Sequence, residues 1–274
     1  MNLCDIKTIK QVMAMFSLNF RKEFGQNFLT NNMVVEDIAD NCCTHADSTI
    51  LEIGPGIGSL TKELAERYKN VVSLEIDHGL IPVLKYTLDA YRNVKIINED
   101  VMKADLNQIL APYLAGGISV CANLPYYITS PILTALLEAD CFESVTVMVQ
   151  KEVAQRIAAK PGSADYSAFT VFCQYYAQPE ILFDVPAGCF MPQPKVTSAV
   201  IQLQVRKERN WGALDESIFF RTVKASFAMR RKKLSNGLAS GFPELGKLGA
   251  AEVIEAAGFD ANVRGETLSI PEFV

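Results

Sequence analysis

The sequence predicts an α/β fold with a mostly parallel sheet, followed by a small helical domain. Short apolar runs that read as strands alternate with helical patterns over the first two thirds of the chain, and this alternation is typical of a parallel sheet. From about residue 206 the pattern is helical only. We therefore expect one domain over residues 1–205 and a second over residues 206–274.

The individual elements follow from local patterns. A helical N-terminal stretch precedes the first strand, and residues 150–160 read as a helix that ends at Pro161 and Gly162. The last two strands have no clear helix between them, so we expect them to pair antiparallel. Seven strands are predicted, at 49–53, 71–76, 94–98, 118–122, 145–149, 180–185 and 197–205.

Composition favours a cytoplasmic protein. The apolar residues, 49% of the chain, occur in runs shorter than the ~18 residues of a membrane-spanning helix, and the N-terminus lacks the layout of a signal peptide. Seven cysteines occur without a C-x-x-C pair, which indicates reduced thiols. The Cys42-Cys43-Thr44-His45 cluster lacks four-ligand spacing, so we expect no metal site.

A glycine-rich turn follows the first strand, in the run TILEIGPGIGSLTKELAE. Gly54, Gly56 and Gly58 alternate between a strand and a helix, where a ligand can approach the backbone and the helix N-terminus favours polar or anionic groups. The spacing differs from the dinucleotide fingerprint G-x-G-x-x-G. The turn alone is weak evidence, but it indicates a nucleotide-like cofactor.

Acidic residues close the next two strands. Glu75 ends the second strand, where a carboxylate can accept hydrogen bonds from ribose hydroxyls. Asp100 follows the third strand, where it could accept a hydrogen from an adenine amino group. Either acid alone could be a solvated loop charge. Together with Gly54 and Asn123, they are predicted to line the carboxyl edge of one parallel sheet.

The tetrapeptide Asn123-Leu124-Pro125-Tyr126 follows the apolar run ISVCA. An exocyclic adenine nitrogen is a poor nucleophile, because its lone pair is delocalised into the ring. The Asn123 amide oxygen and the Leu124 carbonyl can each accept one amino hydrogen, Pro125 stiffens the turn, and Tyr126 can stack on the base. The alternative is an ordinary turn at a strand end, since Asn and Pro are common turn residues.

Eight sequence blocks together resemble the small-subunit ribosomal RNA adenine dimethyltransferases, the family linked to kasugamycin sensitivity in bacteria. The match runs in order from about residue 20 to the C-terminus. The blocks are FGQNFL (24 to 29), LEIGPGIGSLT, LEID, NEDVMKAD, ANLPYYITSPIL, FMPQPKVTSAV, SFAMRRKKLSNGL and RGETLS.

The resemblance implies a Rossmann-like, seven-stranded methyltransferase sheet with a small C-terminal α-helical domain. It implies S-adenosylmethionine as the cofactor and N6-dimethylation of two adjacent adenosines in the 3′-terminal hairpin of small-subunit (16S) rRNA. The expected partner is this rRNA within a partly assembled subunit, and the expected role includes maturation of the subunit. We expect a monomer without membrane or metal partners.

The family's functional residues transfer by matching position. The base-binding group would be Asn123, Leu124, Pro125 and Tyr126, with Phe190 as a second stacking ring, although Phe190 could equally be a core residue. The RNA-binding residues are expected from the run of basic charge near the C-terminus and not from the family match: Arg221, Lys224, Arg230, Arg231, Lys232 and Lys233. The cofactor-binding residues would be Asn27, Leu29, Gly54, Gly56, Glu75, Ile76, Asp100, Val101 and Asn123.

Charge is unevenly distributed along the chain. The whole chain carries a net charge of −5, whereas the segment 206–233 has nine basic and three acidic residues. Contacts with phosphates depend on local patches of positive charge and not on the net charge of the chain. This segment can therefore bind RNA although the rest of the chain is acidic. A solvated helix face is the alternative. Members of the family tend to be more basic, and they usually carry glycine where this chain has Ser167.

Three other functions remain open. The related large-subunit rRNA methyltransferase of the macrolide-resistance type shares the sheet and the Asn-x-Pro-Tyr turn, but the PKVTSAV, RRKKLSN and RGETLS blocks favour the small-subunit enzyme. A nicotinamide-dependent oxidoreductase would not explain Asn-Leu-Pro-Tyr. A non-catalytic RNA-binding assembly factor is disfavoured because every expected active-site position is filled.

Overall fold

The protein is described by a computed structural model over residues 1–21, 25–209, 211–212 and 215–274. These residues group into two units, of which the first contains Met1–Ala154 and Pro179–Val205 and the second contains Gln155–Gln178 and Arg206–Val274. A change of unit after Val205 coincides with the boundary expected from sequence. Residues 155–178 differ from that expectation, because they group with the C-terminal helices.

The first unit is built on a seven-stranded sheet, and the predicted α/β class is confirmed. The predicted seven strands are all present, with ends shifted by a few residues. They are β2 Thr49–Ile53, β3 Asn70–Glu75, β4 Val94–Asn98, β5 Ile118–Asn123, β6 Ser144–Gln150, β7 Ala177–Val185 and β9 Ser198–Val205. The strand order is β4-β3-β2-β5-β6-β9-β7, in which the first five strands are parallel and β9 is antiparallel to β6.

Burial follows position in the sheet. Every residue of β2 is buried, as expected for a central strand covered on both faces, whereas the edge strand β4 has no fully buried residue. A second, two-stranded sheet pairs β1 (Phe28–Leu29) with β8 (Phe190–Met191) antiparallel. The sequence did not predict this pair, because two-residue strands show no alternation of polar and apolar residues.

Helices cover the sheet and supply its crossover connections. In α3 (Ser59–Arg67), Leu60 and Leu64 lie four residues apart on one buried face, as an amphipathic helix requires. Within the part of the chain that is described, no helix has the length and apolar composition needed to cross a membrane. The helices up to residue 157 are α1 Ile6–Met15, α2 Asn32–Asp40, α3 Ser59–Arg67, α4 Ile81–Thr87, α5 Leu106–Leu110, α6 Thr129–Glu138 and α7 Lys151–Ile157.

The second unit is helical. Tyr166 donates a 2.8 Å hydrogen bond to the Leu268 carbonyl, and the rings of Tyr175 and Phe219 lie 4.8 Å apart between centroids. These contacts explain why residues 155–178 group with the C-terminal segment. The remaining helices are α8 Ala168–Tyr176, α9 Glu216–Ala228, α10 Leu234–Gly241, α11 Gly246–Ala256 and α12 Ile270–Phe273.

One carboxyl group lies inside the sheet. Glu52, in the middle of β2, is 1% exposed, and its Oε2 accepts a 2.7 Å hydrogen bond from the Ser73 hydroxyl. Burial raises the pKa of Glu52 to about 7, while the hydrogen bond from the Ser73 hydroxyl opposes the rise. The raised pKa means that folding favours the protonated carboxyl. This contribution to stability is complete below the ordinary pKa of 4.5 and is lost as the pH rises through about 7.

We expect Glu52→Gln to change how stability depends on pH. Gln stays neutral, so the variant should gain stability relative to the unaltered chain as the pH rises from about 4.5 to about 8, by on the order of 3 kcal/mol. Denaturant unfolding at a series of pH values measures the difference. The exposed Glu138→Gln is the matched control and should give parallel curves. Parallel curves for Glu52→Gln as well would contradict a buried carboxyl that resists ionisation.

Candidate active site

The topological switch point of the sheet, where the strand order reverses direction, lies between β2 and β5. From β2 the chain passes to β3 and β4 on one side and then returns to β5 on the other, and such a switch opens a crevice at the carboxyl ends of the strands. The register pairs Ile53 with Ala122, so Gly54 and Asn123 are the next residues on adjacent strands. Leu74 pairs with Ile53, which brings Glu75 beside Gly54.

A cavity occupies this crevice, at the carboxyl ends of the strands where open α/β sheets bind ligands. Eight of the residues that the sequence assigned to binding or catalysis line it. They are Asn27, Leu29, Gly54, Gly56, Glu75, Ile76, Asn123 and Pro125. The other five residues assigned to the cofactor or the base, Asp100, Val101, Leu124, Tyr126 and Phe190, do not line this cavity.

The glycine turn closes one wall of the cavity. Gly54 and Gly56 have positive φ angles of 69° and 61°, a conformation that residues with a Cβ adopt only with strain. A Cβ on Gly56 would also lie 3.0 Å from the ring of Phe28. At Gly54 a Cβ would meet no protein atom within 4 Å, so the backbone there is open to a ligand.

Glu75 is 4% exposed and is held by the backbone. The Gly56 N–H donates to Oε2 at 3.3 Å, and the Asp77 N–H donates to Oε1 at 2.8 Å. Burial raises the pKa of Glu75 to about 7, and the neighbouring Asp77 charge adds to the rise, while these backbone bonds oppose it. A hydroxyl-rich ligand would supply the further donors that favour the ionised form.

The Asn123 side chain is oriented by a residue 96 positions earlier in the chain. Its Nδ2 donates a 3.0 Å hydrogen bond to the carbonyl of Asn27. Since a carbonyl can only accept, the atom that faces Asn27 must be the amide nitrogen. The amide oxygen, which no donor among the described residues engages, is thereby the end available to a ligand.

The rest of the tetrapeptide forms a tight turn. Leu124 is buried, and its N–H donates to the Met148 carbonyl on β6 at 3.2 Å. The Pro125 carbonyl accepts from the Thr129 hydroxyl at 3.1 Å, which joins the turn to α6. Tyr126 is half-buried and its hydroxyl is hydrogen-bonded to Ser198, while burial raises the pKa of the phenol. The turn is therefore fixed at both its ends.

Asp100 and Val101 lie just past the end of β4. Asn98, the last residue of β4, pairs with Glu75 of β3, and Asp100 lies two residues beyond Asn98. Its Oδ1 accepts from the Met102 N–H at 3.0 Å, and its Oδ2 lies 3.9 Å from Lys103 Nζ. Contact of Asp100 and Val101 with a cofactor therefore stays a prediction.

Phe190 lies in the hydrophobic core. It is 5% exposed, pairs with Leu29 across the two-stranded sheet, and belongs to a buried cluster that also contains Val185. The structure places its ring against protein atoms, and its service as a stacking ring stays a prediction.

Sequence reasoning missed several cavity residues. Gly25 and Gln26 lie in the FGQNFL block but have no role assigned from sequence, and the first residue of the block, Phe24, is outside the described ranges. Glu52 lies in the LEIGPGIGSLT block and likewise has no role assigned from sequence. The signal for these residues was their proximity in sequence to Asn27, Gly54 and Glu75. The additional lining residues are Gly25, Gln26, Phe28, Glu52, Pro55, Ile57, Ser59, Leu60 and Leu80.

The six basic residues that the sequence assigned to RNA binding fall into two groups. Arg221 donates to the Gly241 carbonyl at 2.9 Å, and Arg230 forms a 2.7 Å ion pair with Glu266. Both arginines are thus engaged within the unit. The others are exposed and form no ion pair among the described residues: Lys224, Arg231, Lys232 and Lys233.

Across the ranges that are described, no group of three or more His, Cys, Asp or Glu side chains is arranged to hold a metal ion. What the cavity offers is a glycine turn open to a ligand, a buried carboxylate and an oriented amide. These are the groups that a nucleoside-containing ligand requires, namely close backbone approach and an acceptor for ribose hydroxyls.

Solved structures share this fold. The 23S rRNA methyltransferase ErmE is 27% identical, with a TM-score of 0.71 over 90% of this chain and 96% of its own. A dimethyladenosine transferase from Plasmodium falciparum is 22% identical, with a TM-score of 0.78 over 90% of this chain and 94% of its own, a likeness that concerns the fold alone.

Sequence relatives are closer. A ribosomal RNA small subunit methyltransferase A from Alkaliphilus metalliredigens is 47% identical over 96% of this chain and 93% of its own length. One of the same name from Geobacillus thermodenitrificans is 46% identical, over 96% and 92%. The family model for ribosomal RNA adenine dimethylase matches residues 17–271. The chain therefore belongs to the ribosomal RNA adenine dimethylase family.

Proposed function

We propose that this chain uses S-adenosylmethionine to dimethylate N6 of two adjacent adenosines in the 3′-terminal hairpin of small-subunit (16S) rRNA. The family is one of methyltransferases, and membership implies this cofactor. The observation that carries the proposal is the Asn123 amide, whose nitrogen is held by the Asn27 carbonyl so that its oxygen can accept from an adenine amino group.

The cofactor would be held in the cavity at the carboxyl ends of β2 and β3. Glu75 would accept hydrogen bonds from the ribose, Gly54 would let it approach the backbone, and Asn27 and Ile76 would contact it. When bound, S-adenosylmethionine supplies an electrophilic methyl group. We also assign contacts to Leu29, Gly56, Asp100 and Val101.

The turn after β5 would hold the acceptor. The target adenosine leaves its stack, as a base must when an enzyme acts on it within a folded RNA. In the first methyl transfer, Asn123 Oδ1 and the Leu124 carbonyl accept the two amino hydrogens and so orient the N6 lone pair. Tyr126, anchored through its hydroxyl to Ser198, offers a ring for stacking. Phe190 would need to become accessible to offer a second.

No side-chain base is required for this chemistry. The amino group becomes acidic once it carries an additional substituent and a positive charge, and it can lose its proton to water or to a carbonyl. The residues of the turn thus contribute orientation, which can account for several orders of magnitude in rate.

The second unit would contact the RNA backbone. Lys224, Arg231, Lys232 and Lys233 are exposed and can pair with phosphates, whereas Arg221 and Arg230 would first have to exchange their present partners. We assign the substrate as the rRNA within a partly assembled small subunit, and with it a role in subunit maturation. A monomer acting in the cytoplasm, where subunits assemble, fits this substrate.

The large-subunit rRNA methyltransferase activity is the second candidate, favoured by the similarity to ErmE. The relatives at 44–47% identity carry the small-subunit name, and this supports the first candidate.

Mapping of the methylated nucleotides tests the function. We expect the chain, given labelled S-adenosylmethionine and small-subunit particles that lack the modification, to label two neighbouring adenosines near the 3′ end. Large-subunit rRNA, supplied separately, is the control and should stay unlabelled. Label on the large-subunit rRNA alone, or on neither, would contradict the proposal.

Asn123→Ala tests the role of the turn. The variant should lose turnover by on the order of 100-fold, because N6 loses one of its two orienting acceptors. Rates of methyl transfer to the small-subunit particle measure this. Asn107→Ala, an exposed position on α5, is the matched control and should keep the unaltered rate. Normal turnover of Asn123→Ala would overturn the assignment.

A further inference from the structure

Asp77 is a buried carboxylate beside the cavity that the proposed mechanism does not use. It is 2% exposed, and three N–H donors surround it. Arg21 Nη1 lies 3.2 Å and the Gly79 N–H 3.0 Å from Oδ1, and Gln26 Nε2 lies 3.0 Å from Oδ2. A buried charge that is paired and hydrogen-bonded in this way holds its partners in fixed positions.

The partners form a closed loop of hydrogen bonds. The Gln26 amide uses both ends, since its Oε1 accepts from the Arg21 N–H at 2.8 Å while its Nε2 donates to Asp77. Arg21 returns to Asp77 through its guanidinium. We call the three residues Arg21, Gln26 and Asp77 the clasp.

The clasp connects the two halves of the site. On the cofactor side, the Asp77 N–H donates to Glu75 Oε1 at 2.8 Å. On the acceptor side, Gln26 is followed by Asn27, whose carbonyl orients the Asn123 amide at 3.0 Å. Gly25 approaches the same turn so closely that a Cβ there would lie 3.2 Å from the Pro125 Cβ.

We propose that Asp77 is a positioning residue, which fastens the segment Gly25–Asn27 over the methyl-donor cavity through Gln26 and Arg21. By holding this segment, Asp77 fixes the position of the residues that line one side of the cavity, and it also fixes the orientation of the Asn123 amide. The inference rests on the proposed function, because it takes the cavity to be the S-adenosylmethionine site.

A simpler role for Asp77 is to cap the short 3₁₀ turn His78–Leu80, through its bond from the Gly79 N–H. The two roles respond differently to Asp77→Asn. Asn caps a turn about as well as Asp. It lacks the second acceptor that Gln26 Nε2 needs and the charge that attracts Arg21, so only the clasp is broken.

The test is a reciprocal exchange of Asp77 and Gln26. Asp77→Asn leaves Gln26 Nε2 facing an amide nitrogen, and Gln26→Glu places two carboxylates together. With both changes combined, the new carboxylate at position 26 accepts from the Arg21 N–H and from the new amide nitrogen at position 77. The new amide oxygen at position 77 still accepts from Arg21 and Gly79. Every hydrogen bond of the clasp is then restored. Only the bond between positions 26 and 77 has exchanged its donor and acceptor.

The affinity for S-adenosylmethionine, measured by titration calorimetry without RNA, is the main measurement. We expect each single variant to weaken binding by on the order of tenfold, and the double variant to recover to within about threefold of the unaltered chain. Turnover should follow the same order, with kcat as well as KM affected. Melting temperatures without cofactor check the fold, and Gln26→Ala, which leaves the turn cap intact, should repeat the loss if Asp77→Asn proves unstable.

The outcomes separate the two hypotheses. If the unaltered chain binds S-adenosylmethionine and the single variants bind it equally well, the clasp does not position the site and the inference falls. A double variant that is no better than the weaker single variant would also overturn it. If the unaltered chain itself fails to bind, the proposed cavity is wrong and the inference falls with it. Glu75→Ala, which removes a proposed ribose acceptor, is the control for loss of affinity.

Discussion

The hydrogen bond between the Asn27 carbonyl and the Asn123 amide nitrogen is the constraint on which the account of the site depends. A free Asn side chain can present either end, and only the oxygen can accept from an adenine amino group. The 3.0 Å bond from Nδ2 to Asn27 decides this orientation before substrate arrives. Orientation that is established in advance costs nothing at the moment of reaction, which is how positioning accelerates a step that needs no general base.

Buried carboxylates shape the other half of the cavity. Glu52 and Glu75 both have a pKa raised to about 7 by burial, and Asp77 lies two residues beyond Glu75 with three N–H donors around it. Ionised Glu75 is the form that best accepts from ligand hydroxyls, so ligand binding and ionisation should favour each other. Ionisation of Glu75 is therefore unfavourable in the free protein, and hydrogen bonds from a hydroxyl-bearing ligand can offset that cost.

Much of the fold could be predicted from sequence, because strand periodicity, the glycine turn and the acid at the strand end are local signals. The seven strands and the alignment of Gly54, Glu75 and Asn123 at one edge follow from them. Residues 155–178 group with the C-terminal helices, which differs from the sequence expectation, because contacts such as Tyr166 with Leu268 join segments about a hundred residues apart. The clasp could not be predicted either, because nothing in the chain between Arg21 and Asp77 indicates that they meet.

The most direct test is a structure of the chain with S-adenosylhomocysteine and an rRNA hairpin that carries the target adenosines. The account predicts that Asn123 Oδ1 and the Leu124 carbonyl each lie about 3 Å from the adenine N6, with Asn123 Nδ2 still bonded to Asn27. An adenine held elsewhere, or an Asn123 amide turned so that its nitrogen faces the base, would contradict it.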